Sequence, residues 1–142
     1  MISQTAEYAL RAIVYLADQS EPQTNAAIAE VTKVPIGYLA KIMQSLSRAR
    51  LVTSQRGLHG GFLLAFKPNE LTVLKVLNAI DPIQHYHECP LGTHGANLCP
   101  LHRSLDDAAN AIEATFGDTT IADLINVPRH RRPLCKFPNQ PE

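Results

Sequence analysis

The stretch from His85 to His102 reads HYHECPLGTHGANLCPLH and holds four of the chain's six histidines and two of its three cysteines. Thiolate sulfur and imidazole nitrogen are the donors that zinc and iron–sulfur clusters take, and a connecting loop can bend several of them toward one point. The alternative is a solvated, His-rich loop with two inert thiols. Cysteine is rarely placed in a polar loop without a chemical use, which favours a metal site. Cys89, Cys99 and His102, with one of His85, His87 or His94, would make a four-donor structural zinc clip. An odd count of three cysteines argues against a disulfide framework and for ligation or redox chemistry.

What surrounds that loop decides what a metal would be for. A chain of 142 residues, 45% of them hydrophobic, suits one domain of modest core with an arm. No basic flank precedes an apolar run at the N-terminus; MISQTAEYALRAIVYLA has helical periodicity instead. The expected compartment is therefore the cytoplasm, with no membrane partner. Formal net charge is zero but unevenly spread. From Val31 to Asn69 there is no Asp or Glu, while Lys33, Lys41, Arg48, Arg50, Arg56 and Lys67 give +6. From Glu70 to Asn126 eight acids against Lys75 and Arg103 give −6. A one-sided basic segment is the footprint of a phosphate-binding surface.

Ala6, Ala9, Leu10, Ile13, Leu16 and Ala17 recur at helical spacing and predict a first helix from about Gln4 to Asp18, capped by Ser3. Thr24 can cap a short second helix, TNAAIAEV, which stops near Lys33 because Pro35 disfavours helical geometry at Val34. Pro35 then suits the first turn of a third helix. Its apolar face is Leu39, Ile42, Met43 and Leu46, which leaves Tyr38, Lys41, Gln44, Ser45 and Arg48 toward solvent. Two short helices joined by a tight turn, the second presenting donors, make a helix-turn-helix.

Next comes LVTSQRGLHGGFLLAF, two apolar runs about a glycine-rich, cationic turn, which predicts a hairpin. Gly57, Gly60 and Gly61 are expected to supply positive φ there and to let the backbone approach a phosphate, with His59 beside them. Arg56 at the tip could enter a minor groove. A helix-turn-helix followed by such a hairpin is a winged helix. The predicted fold class is mainly α with a small β wing.

Thr72 is placed to cap a fourth helix, VLKVLNAI, with Leu74, Leu77 and Ile80 inward and Asp81-Pro82 as its end. Residues 1–82 thus read as a winged-helix DNA-binding domain and 83–99 as a metal-binding loop. From about Pro100 to Phe116 a long helix carries the stripe Leu101, Leu105, Ala108, Ala109, Ile112 and Phe116. A copy of itself in a homodimer would cover that stripe, making 100–125 a dimerisation arm that ends in a short helix, IADLI, after Thr120. The competing reading folds the helix back on its own domain. The tail, 126–142, with four prolines among basic residues, is expected to be disordered, with Cys135 a bystander. An enzyme is the weakest reading: there is no oxyanion-binding loop, no phosphate-binding glycine motif and no placed acid–base pair.

Four segments together, AEYALRAIVYLA, IAEVTKVPIGYLAKIMQSLSRARLV, RGLHGGF and CPLGTHGANLCPLH, resemble the Rrf2 family of bacterial winged-helix regulators, the IscR- and NsrR-like proteins, over most of the chain up to about Ile125. The resemblance implies a homodimer on a roughly palindromic DNA operator, with an iron–sulfur cluster held between the DNA-binding domain and the arm helix. The DNA contacts would then come from Thr24, Tyr38, Lys41, Gln44, Ser45, Arg48, Arg56, Gly57, His59, Gly60 and Gly61. Cluster-binding members use three cysteines, and nitric-oxide sensors add a carboxylate from the partner subunit's first helix. Cys89 and Cys99 match the first and last cysteine, Glu7 matches the carboxylate, and His94 stands where the middle cysteine is absent. His102, three residues beyond Cys99, is a second candidate; His85 and His87 read as solvated neighbours.

Fewer thiolates would raise the cluster potential, as nitrogen ligation does in Rieske centres, which favours 2Fe-2S over 4Fe-4S. The expected function is a transcriptional repressor whose operator binding is controlled by a cluster sensing redox state, nitric oxide or iron status. The alternatives are a regulator with structural zinc and a metal-free regulator controlled by a protein partner.

Overall fold

The computed structural model describes residues 2–128 together with Arg131 and Pro133. The expected disorder of the tail and the bystander Cys135 fall largely outside the described residues. Among the described residues, six α-helices, one hairpin and a short 3-10 turn (Pro68–Glu70) occur, the main elements in the order α1 (Gln4–Ala17), α2 (Asn25–Thr32), α3 (Ile36–Arg48), β1 (Val52–Gln55), β2 (Gly61–Leu64), α4 (Val73–Ile80), α5 (Pro100–Asp118) and α6 (Ile121–Ile125). Among the described residues, no helix is long and apolar enough to cross a membrane.

Hydroxyl caps start four of the helices. Ser3, Thr24, Thr72 and Thr120 each accept a hydrogen bond from a backbone N–H three residues on, filling a vacancy that every helix start leaves. At α6 the box is reciprocal, since Asp123 also accepts from the Thr120 N–H at 2.8 Å. The turn after α2 is made by Lys33 in the left-handed region at φ 58°, its N–H returning to the Ala29 carbonyl. Val34, just before Pro35, is buried and leads into α3.

α1 is the hub, packed by α2, α3, α4 and α6. Its alanines Ala6, Ala9 and Ala12 are buried with Ile13, Val14 and Leu16, small side chains that let neighbouring helices come close. Leu39, Ile42, Met43 and Leu46 of α3 are all buried, the face the spacing predicts. α4 turns differently from expectation: Val73, Val76 and Leu77 are buried, while Leu74 and Ile80 are only half-buried. The cause is that α4 is packed by α1, α3 and α5 together, so its buried arc is not one stripe.

β1 and β2 pair antiparallel, Val52 opposite Leu64 and Gln55 opposite Gly61, and the turn 56–60 forms the wing. The wing is tied to the helices by a bridge between Gln23 and Phe62, with N–H···O distances of 2.9 and 2.8 Å. α6 is likewise locked to the core: Ile121 is fully buried and its N–H bonds the Leu71 carbonyl, beside a bond from Val73 N–H to Thr119. α5 therefore starts from the loop after α4, packs against α4 and ends beside the core at α6.

Candidate metal centre and nucleic-acid interface

The ligand-rich loop joins α4 to α5, so its two ends are held by helices that touch each other. Cys99 occupies the residue before Pro100, which opens α5, and His102 lies in that helix's first turn. Cys89 is buried at 3% exposure beneath them. Donor atoms of Cys89, His94 and Cys99 all lie within 4.8 Å of one another. His102 Nδ1 joins from the sulfur side, 3.1 Å from Cys99 Sγ and 3.9 Å from Cys89 Sγ. His94 is the exposed member, its Nδ1 2.9 Å from Thr93 Oγ1.

The Cys89 thiol is held down to about 6, first by the Leu91 backbone N–H, then by His94, with Thr93 and Cys99 assisting against the opposing effect of burial. A thiolate at neutral pH is the form that binds metal. Two sulfurs and two imidazoles converging from one loop and one helix start are chemically suited to zinc or an iron–sulfur centre. Glu7 is not in this group; its carboxylate pairs with Arg11 four residues along α1 at 2.7 Å, and the place expected for it is in a second subunit.

His85 departs from the expectation of a solvated neighbour. Its Nδ1 is 3.1 Å from Asp106 Oδ1 and its Nε2 3.1 Å from Glu113 Oε1, both on α5. Spacing alone held a clue, since acids seven residues apart share one helix face. His87 is exposed and has no place in the donor group.

Outside that loop, α3 presents Tyr38, Lys41, Gln44 and Arg48 to solvent, with Tyr38 61% exposed. Ser45 is half-buried, and Thr24 is exposed with its hydroxyl engaged as the α2 cap. The Tyr38 ring meets Tyr8 of α1 edge-on at 6.5 Å, and Arg11 lies 5.4 Å from the Tyr8 ring centre while donating to the Thr32 carbonyl. α3 is thereby braced on α1. Arg56, Gly57 and His59 stand exposed on the wing, with Leu58 at 95% exposure between them.

The three wing glycines do different work. Gly57 alone has positive φ with open space around it. Gly60 does not take positive φ, contrary to expectation; it is needed because a Cβ there would collide with the Gln55 carbonyl oxygen. Gly61, at φ 148°, faces the Gln23 backbone; a Cβ would sit 2.5 Å from its carbonyl.

Comparison with known proteins agrees with this architecture. Residues 2–127 match the Rrf2 family, described as iron-dependent transcriptional regulators. An HTH-type transcriptional regulator named from Aquifex aeolicus (strain VF5) is 34% identical over 143 residues, covering 96% of this chain and 99% of that one. Among solved structures, CymR (YrzC), the global cysteine regulator of B. subtilis, superposes with a TM-score of 0.72 at 26% identity, covering 87% of this chain and 95% of that one. IscR of T. potens gives the same TM-score at 23% identity over 87% and 84%, a likeness of fold. The regulators matched are transcription factors and not enzymes. With its helix-turn-helix, its wing and a family match across nearly its whole length, this chain belongs to the Rrf2 family of DNA-binding transcriptional regulators.

Proposed function

We propose that this regulator is a repressor whose operator binding is governed by a metal centre at Cys89, His94, Cys99 and His102, with a 2Fe-2S cluster as the occupant. The observation that carries the reading is the convergence of those donors where the DNA-binding domain meets α5. A bound cluster would supply a centre reactive to redox change or nitric oxide; its four ligands would be Cys89, Cys99 and two of His94, His102 and Glu7 of a second subunit. The chain's own contribution is mechanical. Cys89 comes from the loop and Cys99 and His102 from α5, so holding them together fixes the helix against the loop. Two states that differ in this register differ in DNA affinity only to the extent that the site favours one of them.

The functional unit is a homodimer. Leu101 and Leu105 of α5, 63% and 46% exposed, form an apolar surface, and Leu105 also lines a cavity of about 380 Å³ in which Ile2, Leu77 and Ile112 are mixed with Asp81, Gln84 and Tyr86. Apolar surface of this kind is covered by a second copy. In the dimer the two α3 helices would meet successive major grooves of a palindromic operator about 34 Å apart. Tyr38, Lys41, Gln44, Ser45 and Arg48 would face the groove, while Thr24, Arg56, His59 and the exposed wing backbone at Gly57 hold phosphates.

A second reading has its own support. Donors within 4.8 Å of one another suit a single tetrahedral ion, whose ligand atoms lie within about 4 Å of each other, whereas a cluster spreads its ligands over two irons. The deciding experiment is visible absorption with iron, zinc and sulfide analysis on protein purified without oxygen. Bands between about 320 and 460 nm with matching iron and sulfide support the cluster. A colourless protein with one zinc per chain supports the clip, and neither metal leaves control by a protein partner.

A further inference from the structure

The loop meets α5 at a second place, away from the sulfur donors. His85 stands between two carboxylates of that helix, with Asp106 at one ring nitrogen and Glu113 at the other, each at 3.1 Å. Those acids lie on one face, two turns apart. The next peptide is caught as well: the Tyr86 N–H donates to the same Asp106 oxygen at 3.0 Å, and the Tyr86 ring packs against His102 at 5.0 Å between centroids. Cys89 follows three residues later.

We propose that His85 is a positioning residue of the metal centre, clasped by Asp106 and Glu113 so that the loop is registered on α5 with Cys89 beside Cys99 and His102. This rests on the metal-centre reading above. The physical basis is donor count. An imidazolium carries two N–H groups and serves both carboxylates; a neutral imidazole carries one and releases the other. The charged groups acting on His85 are these two acids, and its hydrogen bonds to Glu113 first and Asp106 second raise its pKa from the ordinary 6.5 against a smaller opposing effect of burial, with the charges of the two acids adding in the same direction. Asp106 is in turn held low, first by the Tyr86 N–H. The sign follows. With its folded value raised, the double clasp is complete below the ordinary histidine range and is lost as pH rises through the raised value. Thiolate ligation runs the other way, strengthening with pH. The ratio of wild type to a His85 variant therefore isolates the clasp.

The test compares the full chain with His85→Gln and Glu113→Gln, all in a Cys135→Ser background and without oxygen. Two probes are used: cobalt(II) added alone, followed by its thiolate charge-transfer band, and a monosubstituted trivalent arsenical, which captures two thiols only where both reach one arsenic. At pH 6, His85→Gln is expected to weaken cobalt binding and slow arsenical capture about tenfold, the lower end of what outer partners of metal ligands contribute. The ratio should shrink toward one at pH 8.5, and Glu113→Gln should show a smaller loss with the same trend. Equal behaviour at pH 6, or a ratio constant with pH as a general loss of stability would give, overturns the proposal. Wild type that refuses cobalt yet shows the pH-dependent arsenical ratio would remove the metal reading and keep the clasp. Cobalt binding that is the same in all three proteins would do the reverse.

Discussion

Replacing Gly61 by alanine should damage the fold through one identifiable contact. The new methyl group would sit 2.5 Å from the Gln23 carbonyl carbon and oxygen and 2.9 Å from its nitrogen, and backbone does not yield as a flexible side chain does. Relief requires the wing to move off the α1–α2 linker, breaking both bonds of the Gln23–Phe62 bridge. Each contributes about 1 kcal/mol net, so their loss amounts to about 2 kcal/mol. Backbone strain adds to this, but Gly57→Ala at φ 112° provides the control, because it carries strain of about 1–3 kcal/mol with nothing for its Cβ to strike. Gly61→Ala should therefore exceed Gly57→Ala by about 2 kcal/mol, or about 8 °C in Tm for a domain of this size. Urea unfolding and thermal scans on the two variants measure the difference directly. Equal destabilisation would refute the reasoning, since it would mean that the close approach to Gln23 costs nothing.

Arg56→Ala should weaken operator binding and reduce the log–log salt slope by about 0.9, the share of one phosphate contact, as measured by anisotropy at several salt concentrations; an unchanged slope would take Arg56 off the DNA. Alkylation of Cys89 in the metal-free protein, read by mass spectrometry of its peptide, should rise with pH through about 6, because the thiolate is the nucleophile and its proton is lost early. A midpoint near 9 would show that the Leu91 N–H and His94 do not stabilise the thiolate. Leu105→Glu places charge in the exposed apolar stripe of α5 and should shift the protein from dimer to monomer in sedimentation while leaving helical content unchanged. A Leu105→Glu dimer as tight as wild type would place the subunit contact elsewhere.

The local order of this protein is written in short-range chemistry. A hydroxyl three residues ahead of its backbone partner marks the starts of α1, α2, α4 and α6, and the apolar face of α3 can be read off its spacing, because caps and helix faces depend only on residues within a turn of one another. The same range limit explains what the sequence alone left open. His94 is visible as an occupant of the gap between Cys89 and Cys99, but only the folded loop between α4 and α5 brings those three donors together and sets His102 against the two sulfurs. Gly61 read as a turn glycine because its true neighbour, Gln23, is 38 residues away across the Gln23–Phe62 bridge. The arc of α4 depends on three helices at once, and periodicity describes only one face. His85 looked like one solvated imidazole among several until the fold set it between Asp106 and Glu113, because a pairing of side chains across 21 and 28 residues is decided by how the loop lies on α5 and not by any pattern within it.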